Sequence, residues 1–340
     1  MTKMRILSFE SSCDETSAAV LEFDKNGKPT VLSDIIASQI DIHARYGGVV
    51  PEIASRAHAE AISKITYEAL GKAGVSVGDI DAVAVTAEPG LIGALIVGVN
   101  FAKSFAYANK LPLIPVNHMR GHIAANYITH PDLEPPYIAL IASGGHTSIV
   151  RVDGYRDMTV IGGTRDDAIG EAFDKVARVM GMPYPGGAAL DKLSYLGKPV
   201  IKFPSAAIRD DSLDFSFSGI KTAVLNYINS AEQKGESICR EDVCASFTEA
   251  VVSSVLSKLE TAFERNPDMK RLALAGGVAA NSHLRDALSK FCKKKNLALY
   301  MPELCLCGDN AAMIGSAAYF EYQAGNFAGT ELNANAVSDI

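Results

Sequence analysis

Two histidines four residues apart, His118 and His122 in the segment NHMRGHIAAN, are of a type and spacing that can bind a metal ion. On a helix, side chains at i and i+4 leave the same face, so both imidazoles can reach one cation. A third ligand is required, and Asp309 in Cys307-Gly308-Asp309-Asn310 is the best candidate. Asp309 also precedes the small-residue helix expected over 311–320, and on pattern alone the reading as that helix's N-cap prevails. Satisfied surface histidines would show the same spacing as a metal pair. A metallopeptidase of the H-x-x-x-H type is a competing reading, but such enzymes carry a Glu after the first His as general base. Here that position is Met119.

Glycine-rich turns offer a different chemistry. Ser143-Gly144-Gly145-His146-Thr147 lies between two apolar runs, where glycines let backbone N–H groups approach an anionic oxygen. A plain turn fits equally well. Gly276-Gly277 lies between an expected strand and a helix start, where exposed amides and the helix dipole favour a nucleotide that Asn281 can hydrogen-bond. As a lone pair of glycines it reads more simply as a turn. Tyr184-Pro185-Gly186-Gly187 is a second tight turn, and Asp191 beyond it can accept from ribose hydroxyls. Asp167, Glu171 and Asp174 stand at i, i+4 and i+7, which on one helix would line three carboxylates along a face and call for a cation, a hydroxyl-rich ligand or solvent.

The elements that must position these groups alternate along the chain. Ile6–Phe9 and Ala18–Phe23 are apolar runs around the turn Glu10-Ser11-Ser12-Cys13-Asp14-Glu15, and they read as a hairpin. Tyr137–Ala142 and Thr147–Val152 repeat the pattern around the glycine turn, which suggests an internal duplication. Between them a helix is expected over 54–73 with Ala57, Ala61, Ile65 and Ala69 inward. A strand over 81–86, a helix over 93–108 and a strand over 113–116 follow. Further on come a long helix over 241–264 with Val251, Val255, Leu259 and Phe263 on one stripe, a strand over 272–275, and a helix over about 282–290. This alternation predicts α/β architecture with mostly parallel sheets flanked by helices.

Composition narrows the class. The 340 residues are 48% hydrophobic and 21% charged, which excludes global disorder, and the length suggests two compact units. The longest charge-free apolar stretch, Pro89–Ala102, falls short of the ~18 residues of a membrane span. The first residues become acidic before any apolar core of a secretory signal could form, so a cytoplasmic location with no membrane is expected. Six cysteines with no C-x-x-C pair imply reduced thiols. The net charge of −7 gives no general attraction for nucleic acid, although Lys290, Lys293, Lys294 and Lys295 form a local basic cluster that otherwise reads as a solvated helix end.

Taken in order, the strings ESSCDETSAAV, GGVVPEIASRAHAE, PGLIGALIVG, NHMRGHIAAN, SGGHTSIV, DDAIGEAFDKVAR, YPGG, DFSFSGIKTAV, GGVAANSHLR and CGDNAAMI resemble the tRNA N6-adenosine threonylcarbamoyltransferase family (TsaD, once described as O-sialoglycoprotein endopeptidase) over roughly residues 4–323. The family usually has Thr where this chain has Ser11, a change that keeps the hydroxyl. The resemblance implies an actin/Hsp70/sugar-kinase-like (ASKHA) two-lobed α/β fold, with duplicated mixed sheets flanked by helices and a nucleotide cleft between lobes. It implies a first lobe over 1–133, completed by a C-terminal helix over about 310–340, and a second over 134–309. By the same resemblance His118, His122 and Asp309 hold one divalent metal ion per subunit, Fe2+ or alternatively Zn2+. Ile141, Ala142, Ser143, Gly144, Gly145, Asp174, Gly187, Asp191 and Asn281 contact substrate and an adenine nucleotide. The implied reaction moves a threonylcarbamoyl group from threonylcarbamoyl-adenylate, made by a separate synthase, to the N6 amine of the adenosine just 3′ of the anticodon in tRNA. AMP is released; apart from the resemblance, Asp14 or Glu15 on the first hairpin turn is expected to take the amine proton. Implied partners are a companion paralogue (TsaB-like) and an ATPase subunit (TsaE-like). A small-molecule kinase and a non-catalytic nucleotide-binding scaffold are the remaining alternatives on such a fold.

Overall fold

The structure is a computed structural model and describes residues 3–208, 210–338 and 340. The chain forms two compact units, Met1–Glu134 with Pro302–Ile340, and Pro135–Met301. The segment from Pro302 through Asp309 therefore belongs with the first unit, whereas the sequence expectation drew that boundary at 309. Glu303 N donates to Thr129 Oγ1 at 3.1 Å within the first unit.

Unit 1 is built on β1 (Met4–Glu10), β2 (Glu15–Phe23), β3 (Pro29–Ser38), β4 (Ala82–Glu88) and β5 (Leu113–Asn117), in the order β3-β2-β1-β4-β5. The hairpin strands pair antiparallel, with Leu7 opposite Val20, while β1–β4 and β4–β5 are parallel. Its helices are α1 (Ile40–His43), α2 (Pro51–Ala73), α3 (Ile92–Asn109) and α4 (His118–Thr129). Strands β1, β2 and β4 are buried along nearly their whole length, as runs such as AVAVTA require when helices cover both faces. Leu7, Phe9, Val83 and Val85 meet Ile62, Ile65 and Ala69 of α2 and Val99, Ala102 and Ala106 of α3. The inward stripe of α2 runs through Ala54, His58, Ile62, Ile65 and Ala69, so Ala57 and Ala61 are only half-buried, contrary to expectation. Phe9 is fully buried with Phe101 edge-on at 5.4 Å, and Phe9→Ala should cost about 3–5 kcal/mol.

Unit 2 repeats the plan. It holds β6 (Tyr137–Ala142), β7 (Thr147–Val152), β8 (Met158–Gly163), β9 (Arg271–Ala275) and β10 (Ala298–Tyr300), in the order β10-β9-β6-β7-β8. Read from the other edge this is the order of unit 1, with β6–β7 and β7–β8 antiparallel and β6–β9 and β9–β10 parallel. The expected duplication is thus present, and each sheet is mixed rather than mostly parallel. The helices are α5 (Ile169–Val179), α6 (Gly187–Ser194), α7 (Ser218–Lys234), α8 (Arg240–Arg265) and α9 (Ser282–Lys295). Val251, Val255 and Leu259 of α8 are buried as expected, but Phe263 is half-buried against Phe291. Among the described residues no helix is long and apolar enough to cross a membrane.

The last helix, α10 (Ala311–Gln323), belongs to unit 1 and packs on β1, β2 and α4. Its approach to the sheet depends on Gly315, where a Cβ would lie 2.7 Å from Leu21 and 2.9 Å from Ser8 Oγ. Ser8 Oγ in turn donates to Ala311 O at 2.7 Å, fixing the helix start over the strand.

Candidate functional site

β5 ends at Asn117, whose side chain accepts from the N–H groups of Met119 and Arg120 and so caps α4. That cap puts His118 at the first helical position and His122 one turn on, both buried, with ring centroids 4.5 Å apart. Asp309 joins them: its Oδ1 lies 3.3 Å from His122 Nε2 and 3.6 Å from His118 Nε2. The expected capping role of Asp309 is not what the structure shows. Asn310 is the N-cap of α10, accepting from Met313 N at 2.8 Å, and this leaves the Asp309 carboxylate to face the histidines.

The three residues fit a cation. Bonds of about 2.0–2.2 Å to one ion separate neighbouring ligand atoms by roughly 3.0–3.6 Å, the spacing seen from Asp309 to each ring. Moreover, neither ring nitrogen of buried His122 makes a well-formed hydrogen bond: Nδ1 has no partner, and Nε2 has only Asp309 Oδ1 at 3.3 Å. A buried, unsatisfied imidazole is costly unless something else occupies its lone pair.

Sequence reasoning missed Glu10, which lies at the end of β1 and is fully buried. Its Oε2 stands 2.9 Å from His118 Nδ1 and accepts from Thr86 Oγ1 at 2.6 Å, while its Oε1 accepts from Ser12 N. Burial opposes ionisation of this carboxyl, but His118 outweighs it and holds Glu10 below the usual carboxylate range. Conversely, burial works against charge on His118, yet the Glu10 and Asp309 carboxylates push it up to about 9. Burial, and His118 beside it, keep His122 below the ordinary range. The only signal for Glu10 in the sequence was a charge closing an otherwise apolar strand.

Asp14 follows in the turn between β1 and β2, and Glu15 opens β2. Burial, then the charges of Asp309 and Asp14, push Glu15 up to about 9. Cys13, just before them, is pushed far up by burial and the same carboxylates, which disfavours its thiolate. For a peptidase, the position after His118 is the buried Met119, and the carboxylate at His118, Glu10, is already engaged by three donors.

In unit 2 the glycine turns are bare. Ser143 N donates to His146 O and Ser143 Oγ accepts from His146 N, closing the turn, and Ser143 O accepts from Gly170 N at the start of α5. Ile141 and Ala142 are the last, fully buried residues of β6. A Cβ on Gly144, Gly145 or Gly277 would meet nothing within 4 Å, and none of the three has a positive φ. Neither the fold nor the backbone thus demands glycine there, which leaves room for a ligand at the amides. Gly276 differs, with φ +93° and Ala142 O only 2.4 Å from a would-be Cβ. Asn281 spends its side-chain oxygen capping α9, accepting from Leu284 N at 2.8 Å.

Asp174 and Asp191 are engaged by protein. Asp174 Oδ1 accepts from the N–H groups of Gly186 and Gly187. Asp191 accepts from Ser282 N at 2.9 Å and Ser282 Oγ at 2.6 Å, and its other oxygen stands 2.7 Å from His283 Nδ1. The row of three carboxylates expected on one helix does not form. The helix begins at Ile169, so Asp167 lies before it and pairs with Lys175 at 2.8 Å and Lys221 at 2.9 Å, while Glu171 pairs with Lys175 at 2.7 Å. The repulsion that seemed to ask for a ligand is relieved by lysines.

A family model described as tRNA N6-adenosine threonylcarbamoyltransferase matches residues 30–316 of this chain. Enzymes of that name from Clostridium beijerinckii and Clostridium novyi are 55% identical over 341 positions and 56% over 334. The alignments cover 100% and 97% of this chain, and 98% and 96% of the relatives. Among solved structures, HypF of T. kodakarensis superposes with a TM-score of 0.63 at 16% identity, covering 95% of this chain and 48% of HypF. Component A of the (R)-2-hydroxyglutaryl-CoA dehydratase of Acidaminococcus fermentans gives 0.56 at 14% identity, covering 94% of this chain and 99% of that one. At such identities they speak for the fold alone, which is actin/Hsp70/sugar-kinase-like. The sequence relatives settle the rest: the chain belongs to the tRNA N6-adenosine threonylcarbamoyltransferase family and is a transferase of tRNA modification.

Proposed function

We propose that this chain transfers the threonylcarbamoyl group of threonylcarbamoyl-adenylate to the N6 amine of the adenosine immediately 3′ of the anticodon, in tRNAs reading codons that begin with A, and that it does so in the cytoplasm. The observation that carries this reading is the convergence of His118, His122 and Asp309 in a chain of this family. These residues would hold one divalent cation, and their mixed imidazole and carboxylate donors suit Fe2+ or Zn2+. When bound, such an ion polarises a donor oxygen and stabilises charge developing on it.

The residues of unit 2 are assigned to the adenylate. Gly144 and Gly145 are assigned to it through their backbone amides, the Gly187 N–H being held by Asp174, and Ile141, Ala142, Ser143, Asp174, Gly187, Asp191 and Asn281 are assigned with them to substrate and nucleotide. In the transfer the N6 nitrogen bonds to the carbamoyl carbon, the bond from that carbon to the phosphate oxygen breaks, and AMP leaves with the electron pair. Holding both reactants in line supplies most of the acceleration. The amine proton needs an acceptor, and we assign Asp14 or Glu15 to it.

The test is mass spectrometry of nucleosides from unmodified tRNA. The tRNA is incubated with this chain, a TsaB-like paralogue, a TsaE-like ATPase and threonylcarbamoyl-adenylate, with and without a chelator. The expected result is threonylcarbamoyladenosine that disappears with chelator and returns with added metal. No product beside an active control enzyme would overturn the transferase reading, and chelator-insensitive product would remove the cation from it.

A further inference from the structure

We propose that Glu10 is a positioning residue that holds His118 in its Nδ1-protonated tautomer and thereby aims the Nε2 lone pair at the cation. The inference rests on the metal reading above and assigns a role to a residue outside the ligand set.

Three contacts carry it. Both oxygens of Glu10 act as acceptors, Oε1 from the N–H of Ser12 and Oε2 from the hydroxyl of Thr86. Its Oε2 lies 2.9 Å from His118 Nδ1, so the proton of a neutral His118 ring sits on Nδ1. The opposite nitrogen, Nε2, is then the unprotonated one, and it is the nitrogen 3.6 Å from Asp309 Oδ1. Ser12 Oγ at 3.1 Å from Nδ1 braces the same edge of the ring. A carboxylate behind a ligating imidazole both fixes its orientation and raises its basicity.

The arrangement is built by the sheet. Glu10 ends β1, Thr86 stands on the parallel neighbour β4, and His118 starts the helix that follows β5, next to β4. His122 has no such support, because its Nδ1 lacks a partner. The two histidines are therefore inequivalent, and Glu10 acts on His118 alone.

Two measurements on the full chain test this. In metal-free protein labelled with 15N-histidine and titrated with base until the His118 ring is neutral, two-bond 15N–1H correlations report each tautomer, with His118 assigned by its loss in His118→Gln. The expected pattern for neutral His118 is Nδ1–H, and an Nε2–H tautomer would overturn the proposal. In Zn2+ titrations against a competing chelator, Glu10→Gln should bind about 10–100-fold more weakly while keeping the wild-type circular dichroism spectrum. Wild-type affinity in a folded Glu10→Gln chain would also overturn it. Should that variant not fold, the tautomer measurement on wild type decides alone. A wild-type chain that binds no Zn2+ or Fe2+ would instead refute the metal reading, whatever the tautomer.

Discussion

Asp174 fixes Gly187 by its backbone: one carboxylate oxygen accepts the Gly187 N–H at 3.0 Å and the neighbouring Gly186 N–H at 2.9 Å. A residue that family resemblance assigns to the substrate thus shapes the turn into α6. Replacing the carboxylate strands two amides that only a charged acceptor served. Asp174→Ala should lose about 1–3 kcal/mol, read as a lower urea midpoint at unchanged slope. Asp174→Asn keeps an acceptor oxygen and should lose less. A wild-type midpoint for Asp174→Ala would show that the turn holds its shape without this bond.

His122 makes stability and metal binding pull apart. It is buried, its Nδ1 has no hydrogen-bond partner and its Nε2 has only Asp309 Oδ1 at 3.3 Å, and a buried polar atom left unsatisfied costs about 1–3 kcal/mol. His122→Leu removes the polar atoms at similar volume, so the metal-free chain should melt about 2–4 °C higher, and it should bind no stoichiometric Fe2+ or Zn2+ by elemental analysis. A variant that melts lower than wild type in chelator would mean that His122 is satisfied in the metal-free protein.

What the sequence made legible was local. The His118–His122 pair depends only on helical spacing, and the hairpins around residues 10–15 and 143–146 on runs of apolar residues broken by polar turns. Asp309 was ambiguous because Asp and Asn adjoin before α10 and either can cap; the backbone gives the cap to Asn310. Glu10 was invisible because its partner lies 108 residues away, brought close only by the β1-β4-β5 crossovers. The acidic row failed at a helix boundary: α5 starts two residues after Asp167, and spacing alone does not locate that start. The same limit shortened α9, which continues through Lys293, Lys294 and Lys295 to Asn296 in the left-handed region. Lys293, Lys294 and Lys295 stand in its last turn, where the helix dipole favours cations.

Asp191 gives unit 2 an acid-sensitive joint between α6 and α9. Burial opposes its charge, but Ser282 and His283 outweigh this and hold it below the usual carboxylate range. A carboxyl depressed on folding stabilises above its unfolded value, near 3.9, and that stability drains away as pH falls through the folded value. Asp191→Asn should therefore be less stable than wild type by about 1–3 kcal/mol at pH 7, with the gap closing as the pH falls below about 4. Urea titrations at a series of pH values measure it, and a gap independent of pH would show that the carboxylate charge contributes nothing.

Two glycines one strand apart should respond in opposite ways. Gly276 sits at φ +93° with Ala142 O where a Cβ would go, so Gly276→Ala meets both backbone strain and a clash with main chain that cannot swing aside. It should destabilise the chain by at least about 1–3 kcal/mol, the cost of a strained non-glycine backbone. Gly144 has neither constraint, and Gly144→Ala should leave stability within about 0.5 kcal/mol of wild type. If the bare amides of that turn serve the nucleotide, the same methyl group should weaken ADP binding at least tenfold in calorimetric titration. A Gly144→Ala chain that is as stable as wild type and binds ADP equally well would take the turn out of the nucleotide site, because the added methyl would then stand in space that no ligand uses.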